Sequence, residues 1–197
     1  MAKVGIVGLG IMGSAYAKNL IAGGIDIEGA DPSADARQRL SDFGGTPHES
    51  AGPWLAECDL VILALTSPTV LRGICRQLAG LLNPGQVVLE TGTFALADKD
   101  AARDILTAKG IHLLDCPVSG TGAQAREGDI LMMASGDAKA VARARPFMSH
   151  FTKGVIEAGE FGMGSRLKYV ANHAVALHAE GKAVSLSMKS GGDRNRT

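Results

Sequence analysis

Two stretches of this chain combine residue types and spacing that could do chemistry. In "KVGIVGLGIMGSAYAKNL", residues 3–20, Gly8, Gly10 and Gly13 form G-x-G-x-x-G where an apolar run gives way to a helical pattern. The first glycine permits a tight turn, the second lets a pyrophosphate approach the backbone, and the third lets helix and strand pack closely. A helix N-terminus there offers free N–H groups and a positive dipole end to phosphates. In "GMGSRLKYVANHAVALHAEG", residues 162–181, Lys168 and Asn172 stand one helical turn apart among apolar neighbours. That places an amine and an amide on one face, where both could meet the same small molecule. The plainer alternative is an ordinary surface lysine.

Glycines also collect at any tight strand-to-helix turn. Here, however, Asp31 closes the second apolar run, at the spacing of the acid that accepts hydrogen bonds from the adenosine ribose hydroxyls. The expectation is a dinucleotide site. A carboxylate at that point repels a 2′-phosphate, and Pro32 and Ser33 supply no arginine to clamp one, so NAD is favoured over NADP. Asp31 could also cap the helix beginning near Ser33, and the two roles are compatible. Arg37 and Arg39 read as part of a solvated helix face.

These residues need elements to hold them. Apolar runs at 4–7, 25–30, 60–65, 87–90, 111–116 and 130–134 read as strands, with helix-length stretches between most of them. Ser67-Pro68 signals a helix start, while Gly23-Gly24 and Asn83-Pro84-Gly85 are stops. Strands that are almost continuously apolar are those covered by helices on both faces. The fold class expected is therefore α/β, a Rossmann-type doubly wound and mostly parallel sheet.

Composition narrows the function classes. The 197 residues carry 20 basic and 20 acidic side chains, with zero formal charge and no blocks of either sign. A nucleic-acid or anionic-membrane surface needs a concentrated basic patch, so neither is expected. No apolar run approaches the ~20 residues of a membrane span, and the N-terminus runs straight into a strand with no signal peptide pattern. Cys58, Cys75 and Cys116 lack CxxC spacing and read as buried, reduced thiols of a cytoplasmic protein. His48, His112, His150, His173 and His178 show no metal-ligand spacing, so no metal is expected. Glu90 and Asp115, at strand ends, read as caps or loop anchors.

A third segment, "DCPVSGTGAQAREGDILMMASGD" at 115–137, presents a hydroxyl and successive backbone N–H groups after a strand, a cradle suited to a carboxylate. A plain Gly-rich loop fits it equally well. Taken with the other two motifs, it makes the chain resemble the β-hydroxyacid dehydrogenases, the family of 3-hydroxyisobutyrate dehydrogenase and, more distantly, 6-phosphogluconate dehydrogenase. "GLGIMGSAYAKNL" resembles the family's cofactor turn, "DCPVSG" its substrate loop, and "GMGSRLKYVAN" its catalytic helix.

That resemblance implies specific roles. Gly8, Leu9, Gly10, Ile11, Met12 and Gly13 would form the cofactor turn. Asp31, the backbone at Ala64 and Leu65, and Thr93 in "ETGTFAL" would also border the dinucleotide. Ser119, Gly120 and Thr121 would hold a substrate carboxylate, Lys168 would be the acid/base, and Asn172 would orient the substrate. The implied reaction is NAD-dependent oxidation of a small 3-hydroxy acid, with hydride leaving the alcohol carbon while Lys168 takes the hydroxyl proton. A lysine near its free pKa of ~10.4 must be shifted down to do this near neutrality, through burial and the positive nicotinamide ring.

Several positions depart from the family pattern: Leu65, Gly92, Thr121, Gln124 and Ala171, most of them at the substrate side. The reading predicts a Rossmann domain over 1–161 and, from 162 to 197, the start of an all-helical domain that looks truncated. The exposed apolar face of that helix points to a homodimer through it. The alternative is a catalytically inactive dinucleotide-binding module lacking its lid.

Overall fold

Side chains of each apolar run divide between two faces of one sheet. In the strand Leu60–Leu63, Leu60 and Ile62 join one core, while Val61 and Leu63 join the other. Val87 and Leu89 likewise oppose Val88 in the strand Val87–Glu90. A continuous apolar strand is the period-2 pattern with both faces buried. Each such side chain contributes roughly 1.5–3 kcal/mol on burial. Truncating a fully buried one such as Ile62 to alanine costs about 2–5 kcal/mol.

The computed structural model describes residues 2–176. His178 and the tail beginning at Lys189 lie outside the described residues. In chain order the strands are β1 Lys3–Val7, β2 Asp26–Ala30, β3 Thr46–His48, β4 Leu60–Leu63, β5 Val87–Glu90, β6 His112–Asp115, β7 Val118–Ser119, β8 Leu131–Ser135 and β9 Gly154–Gly159. The helices are α1 Ile11–Ala22, α2 Ala34–Asp42, α3 Pro68–Leu81, α4 Leu96–Thr107, α5 Gly122–Arg126 and α6 Ala138–Met148, with a 3₁₀ turn at Pro53–Glu57 and helical residues 163–176, here α7.

Strands β3, β2, β1, β4, β5 and β6 lie side by side in that order, all parallel. The order reverses at β1, so a crevice opens between the carboxyl ends of β1 and β4, the place where doubly wound sheets take ligands. Pro117 then breaks the next strand in two. β6 and β7 both run antiparallel to β8, through Asp115 opposite Ser135 and Val118 opposite Met132, and β9 lines up parallel on β8.

The expected strands all form, with ends moved by one or two residues. β4 stops at Leu63, which leaves Ala64 and Leu65 in the following loop. β3, β7 and β9 carry no sequence signal, being short, edge-lying or interrupted by proline and glycine. Ser67 caps α3 as expected, accepting the Val70 N–H, with Pro68 in the first turn. Gly23 and Gly24 end α1, with Gly24 at φ +80°.

Candidate active site

The glycine turn between β1 and α1 separates structural from ligand demands. A Cβ on Gly8 would lie 2.3 Å from the Ala64 carbonyl oxygen, and one on Gly13 would lie 1.9 Å from that of Gly8. Both glycines are required by the protein's own packing. Gly10 differs: among the described residues, a Cβ there would meet nothing within 4 Å. Gly10 is also the N-cap of α1, with no side-chain cap and no acid in the first turn. The first-turn N–H groups thus lack a side-chain acceptor, face open space and sit at a positive helix end, which fits a pyrophosphate.

Asp31 holds this turn from the neighbouring strand. Its Oδ2 accepts the Leu9 N–H at 2.8 Å and its Oδ1 the Ser33 N–H at 2.8 Å. Each carboxylate oxygen keeps a lone pair for a ribose hydroxyl. The α2 cap itself is Ser33, whose hydroxyl accepts the Ala36 N–H. Arg37 does not point away into solvent. It folds back and donates to the carbonyls of Asp31 and Pro32 at 2.8 and 2.9 Å, while Arg39 is exposed.

A cleft of about 480 Å³ runs along this edge, lined by Gly8, Gly10, Asp31, Ala64 and Leu65 together with Val70 and Ile74 of α3. Its far wall is apolar, suited to one face of an adenine ring. Leu9 is fully buried and serves the site through its backbone N–H. Met12 packs on the core, and Ile11 stands 68% exposed beyond the turn.

A second set of residues gathers around the start of α7. Gly162 turns the chain at φ +91°, and Gly164 must be glycine because a Cβ would sit 2.3 Å from the Met133 carbonyl oxygen. That close approach delivers the free N–H groups of the first turn to acceptors on the sheet. Gly164 N–H donates to Ser135 Oγ at 3.0 Å and Ser165 N–H to Asp115 Oδ2 at 2.8 Å. Ser165 Oγ also donates to Asp115 Oδ1 at 2.8 Å. Two strand residues therefore cap the first turn of this helix.

Asp115 in turn meets Lys99 of α4, whose Nζ lies 2.7 Å from its Oδ1 and 2.6 Å from Glu90 Oε2; all three side chains are fully buried. Burial works against the Lys99 charge, yet the flanking carboxylates hold its pKa above the ordinary lysine value. Burial raises the Glu90 pKa, and Lys99 opposes that. The expectation that Glu90 and Asp115 anchor loops fits this geometry; the buried lysine joining them carried no sequence signal.

Lys168 and Asn172 lie on α7 beyond this anchored turn, Lys168 half-buried and Asn172 exposed. Burial lowers the Lys168 pKa from the ordinary value. Thr93 is exposed in the loop after β5. Gly92 in that loop donates its N–H to Glu90 and accepts from Lys99, and the Tyr169 hydroxyl of α7 donates to the Phe94 carbonyl. Ser119 ends β7, and Gly120, at φ +148°, packs against Ile130. Thr121 caps α5, and its N–H is taken by Gln124 Oε1 at 2.9 Å, closing a reciprocal capping box. None of these six predicted residues lines the cleft beside the glycine turn.

Among the described residues, no group of His, Cys, Asp and Glu side chains converges as metal ligands would, and no helix is long and apolar enough to cross a membrane. His48 is a packing residue, stacked on Trp54 with ring centroids 4.3 Å apart and bonded to Glu28 at 2.6 Å.

Comparison with known proteins bears on the family. An L-threonate dehydrogenase of Cupriavidus necator is 31% identical over 97% of this chain and 66% of its own. An NAD-dependent L-serine dehydrogenase of Pseudomonas aeruginosa is 30% identical over 95% of this chain and 64% of its own. The chain thus spans about two thirds of the length of these relatives. The solved structure of a Mycobacterium tuberculosis 3-hydroxyisobutyrate dehydrogenase with L-serine superposes with a TM-score of 0.89 at 28% identity, covering 97% of this chain and 66% of that one. Residues 3–159 match the NAD binding domain of 6-phosphogluconate dehydrogenase, and the chain belongs to that family, among relatives that are hydroxyacid dehydrogenases.

Proposed function

We propose that the chain carries the cofactor turn and the acid–base helix of an NAD-dependent dehydrogenase acting on a small 3-hydroxy acid. The observation that carries this reading is Lys168, an amine that burial moves toward its neutral form, on a helix fastened by its first turn to the carboxyl edge of the sheet. Bound NAD supplies the acceptor for the hydride that leaves the alcohol carbon. The Gly8–Gly13 turn holds its pyrophosphate, Asp31 its ribose, and Ala64, Leu65 and Thr93 border the rest. The Asp31 carboxylate disfavours the additional phosphate of NADP.

Lys168 Nζ takes the hydroxyl proton as the carbonyl forms, and gives it back in the reverse reaction. Asn172 hydrogen-bonds the substrate without adding charge. Ser119 and Gly120 receive the carboxylate, whereas the Thr121 amide is already committed to Gln124. The relatives support the substrate class: serine and 3-hydroxyisobutyrate are short acids bearing a hydroxyl on the third carbon, and threonate bears one there beside those on carbons two and four. On this reading the chain divides at 161/162. The exposed Val170 and Val175 support a homodimer through α7, and the three free, buried cysteines suit a cytoplasmic setting.

The exposure of Asn172 favours a second reading, a module that binds dinucleotide without turning over. Calorimetric titration with NAD, beside the absorbance of reduced nicotinamide formed with L-serine, L-threonate and 3-hydroxyisobutyrate, separates the two. Turnover that is abolished in Lys168→Ala at unchanged NAD affinity supports the dehydrogenase. NAD binding with no turnover supports the module.

A further inference from the structure

The loop that carries Thr93 and the helix that carries Lys168 are far apart in sequence, yet one buried chain of polar contacts joins them. It runs from Gly92, whose carbonyl accepts from Lys99 Nζ at 2.7 Å, to Asp115, 2.7 Å from the same Nζ. From Asp115 it reaches the N–H and hydroxyl of Ser165, each at 2.8 Å. Glu90 closes the loop side, gripping Lys99 at 2.6 Å and accepting the Gly92 N–H at 2.6 Å. Lys99, Glu90, Asp115, Ser135 and Ser165 are all fully buried.

We infer that Lys99 and Asp115 are positioning residues, a buried ion pair that sets the Lys168 helix in register with the Thr93 loop. The inference rests on the reading of Lys168 as the acid/base. Its geometry is specific. A helix whose first-turn N–H groups are capped by strand residues cannot rotate about its axis without breaking those bonds. A lysine one turn further on is therefore held at a fixed azimuth. Lys99 is the joint, because one ammonium donates to Asp115 and the Gly92 carbonyl while its charge is paired with Glu90 Oε2 2.6 Å away.

Nothing else among the described residues supplies a charge to this cluster. The titratable neighbours whose charges are felt at Glu90 or Asp115 are Tyr16 of α1, Cys75 of α3 and Cys116 after β6, and burial keeps all three neutral. Without the Lys99 ammonium, two carboxylates would share one dry site, and one of them would take up a proton.

The test compares the full chain with Lys99→Met and with the milder Ser165→Ala, which deletes one hydroxyl and keeps the Ser165 N–H bond. Lysine-selective NMR follows the titration of Lys168, amide spectra follow residues 91–95, and calorimetry follows NAD. The expected result in Ser165→Ala is a Lys168 midpoint raised by about half a unit or more as the side chain gains solvent. The 91–95 signals shift with it, and NAD affinity stays within about twofold of the parent, since the glycine turn is untouched. Where the parent turns over, kcat falls by about tenfold or more with little change in KM for NAD. If Lys99→Met fails to fold, Ser165→Ala decides alone. An unmoved Lys168 midpoint, or 91–95 signals that ignore the loss of the Ser165 hydroxyl, would overturn the inference. A parent without hydride transfer overturns the dehydrogenase reading instead, and leaves the coupling to be decided by the two spectra.

Discussion

The Leu9 N–H and the Asp31 carboxylate meet at 2.8 Å across 22 positions of sequence, which makes the acid proposed to hold the ribose a structural brace of the glycine turn as well. Replacing Asp31 therefore has two separable effects. Asp31→Ala removes acceptors from the Leu9 and Ser33 amides, at a stability cost of about 1–3 kcal/mol. It also removes the proposed ribose partner, with an expected weakening of NAD by about 10–100-fold. Thermal unfolding and calorimetry read the two effects independently.

The three glycines of the turn are expected to respond differently to alanine. Gly10→Ala meets no atom of the described residues and is expected to change stability by less than about 1 kcal/mol, while its methyl group, in the space before the α1 N–H groups, is expected to weaken NAD binding. Gly13→Ala forces a methyl against the Gly8 carbonyl and lowers the melting temperature outright. Equal stability losses in the two variants would contradict this division.

Burial sets the pH dependence of the proposed chemistry. Lys168 must be neutral to accept a proton, and its neutral fraction rises about tenfold per pH unit below its pKa. Oxidation of the alcohol should climb with pH and level off below the ordinary lysine value, because burial lowers the Lys168 pKa. Reduction of the carbonyl needs the protonated amine and should fall over the same interval. Rate profiles measured in both directions check the sign.

The cysteines should be inert in the folded chain. Burial pushes the Cys58 and Cys75 thiols up to about 12, and Cys116 is fully buried and raised as well. The nucleophilic form is the thiolate, so a thiol reagent should label none of the three until denaturant is added. Rapid labelling of the native chain would show an open core.

The glycine turn, the six main strands and the caps at Ser67 and Gly23 were legible because each depends on local residue type. A tight turn needs glycine, and a strand buried on both faces needs an unbroken apolar run. β3, with Pro47 at its centre, and β9, half exposed, are held by pairing with a neighbour rather than by their own pattern. Lys99 was hidden for a related reason. Flanked by Asp98 and Asp100 in "LADKDAARD", it looks like one charge among several on a wet helix. The available clue lay elsewhere: Glu90 and Asp115 both end apolar strands, and two buried acids require a cation. Arg37 was misplaced because its partners are backbone carbonyls, which leave no trace in composition.

The open face of Gly10, set between two glycines already filled by the protein, bears on how quickly a dinucleotide is captured. Gly8 and Gly13 fix the mould through the protein's own backbone contacts, and Asp31 braces it. A turn held in this way is expected to receive phosphates without refolding a loop. Mixing experiments should accordingly show a single association phase whose rate rises linearly with NAD concentration, without the plateau that marks a slow conformational step.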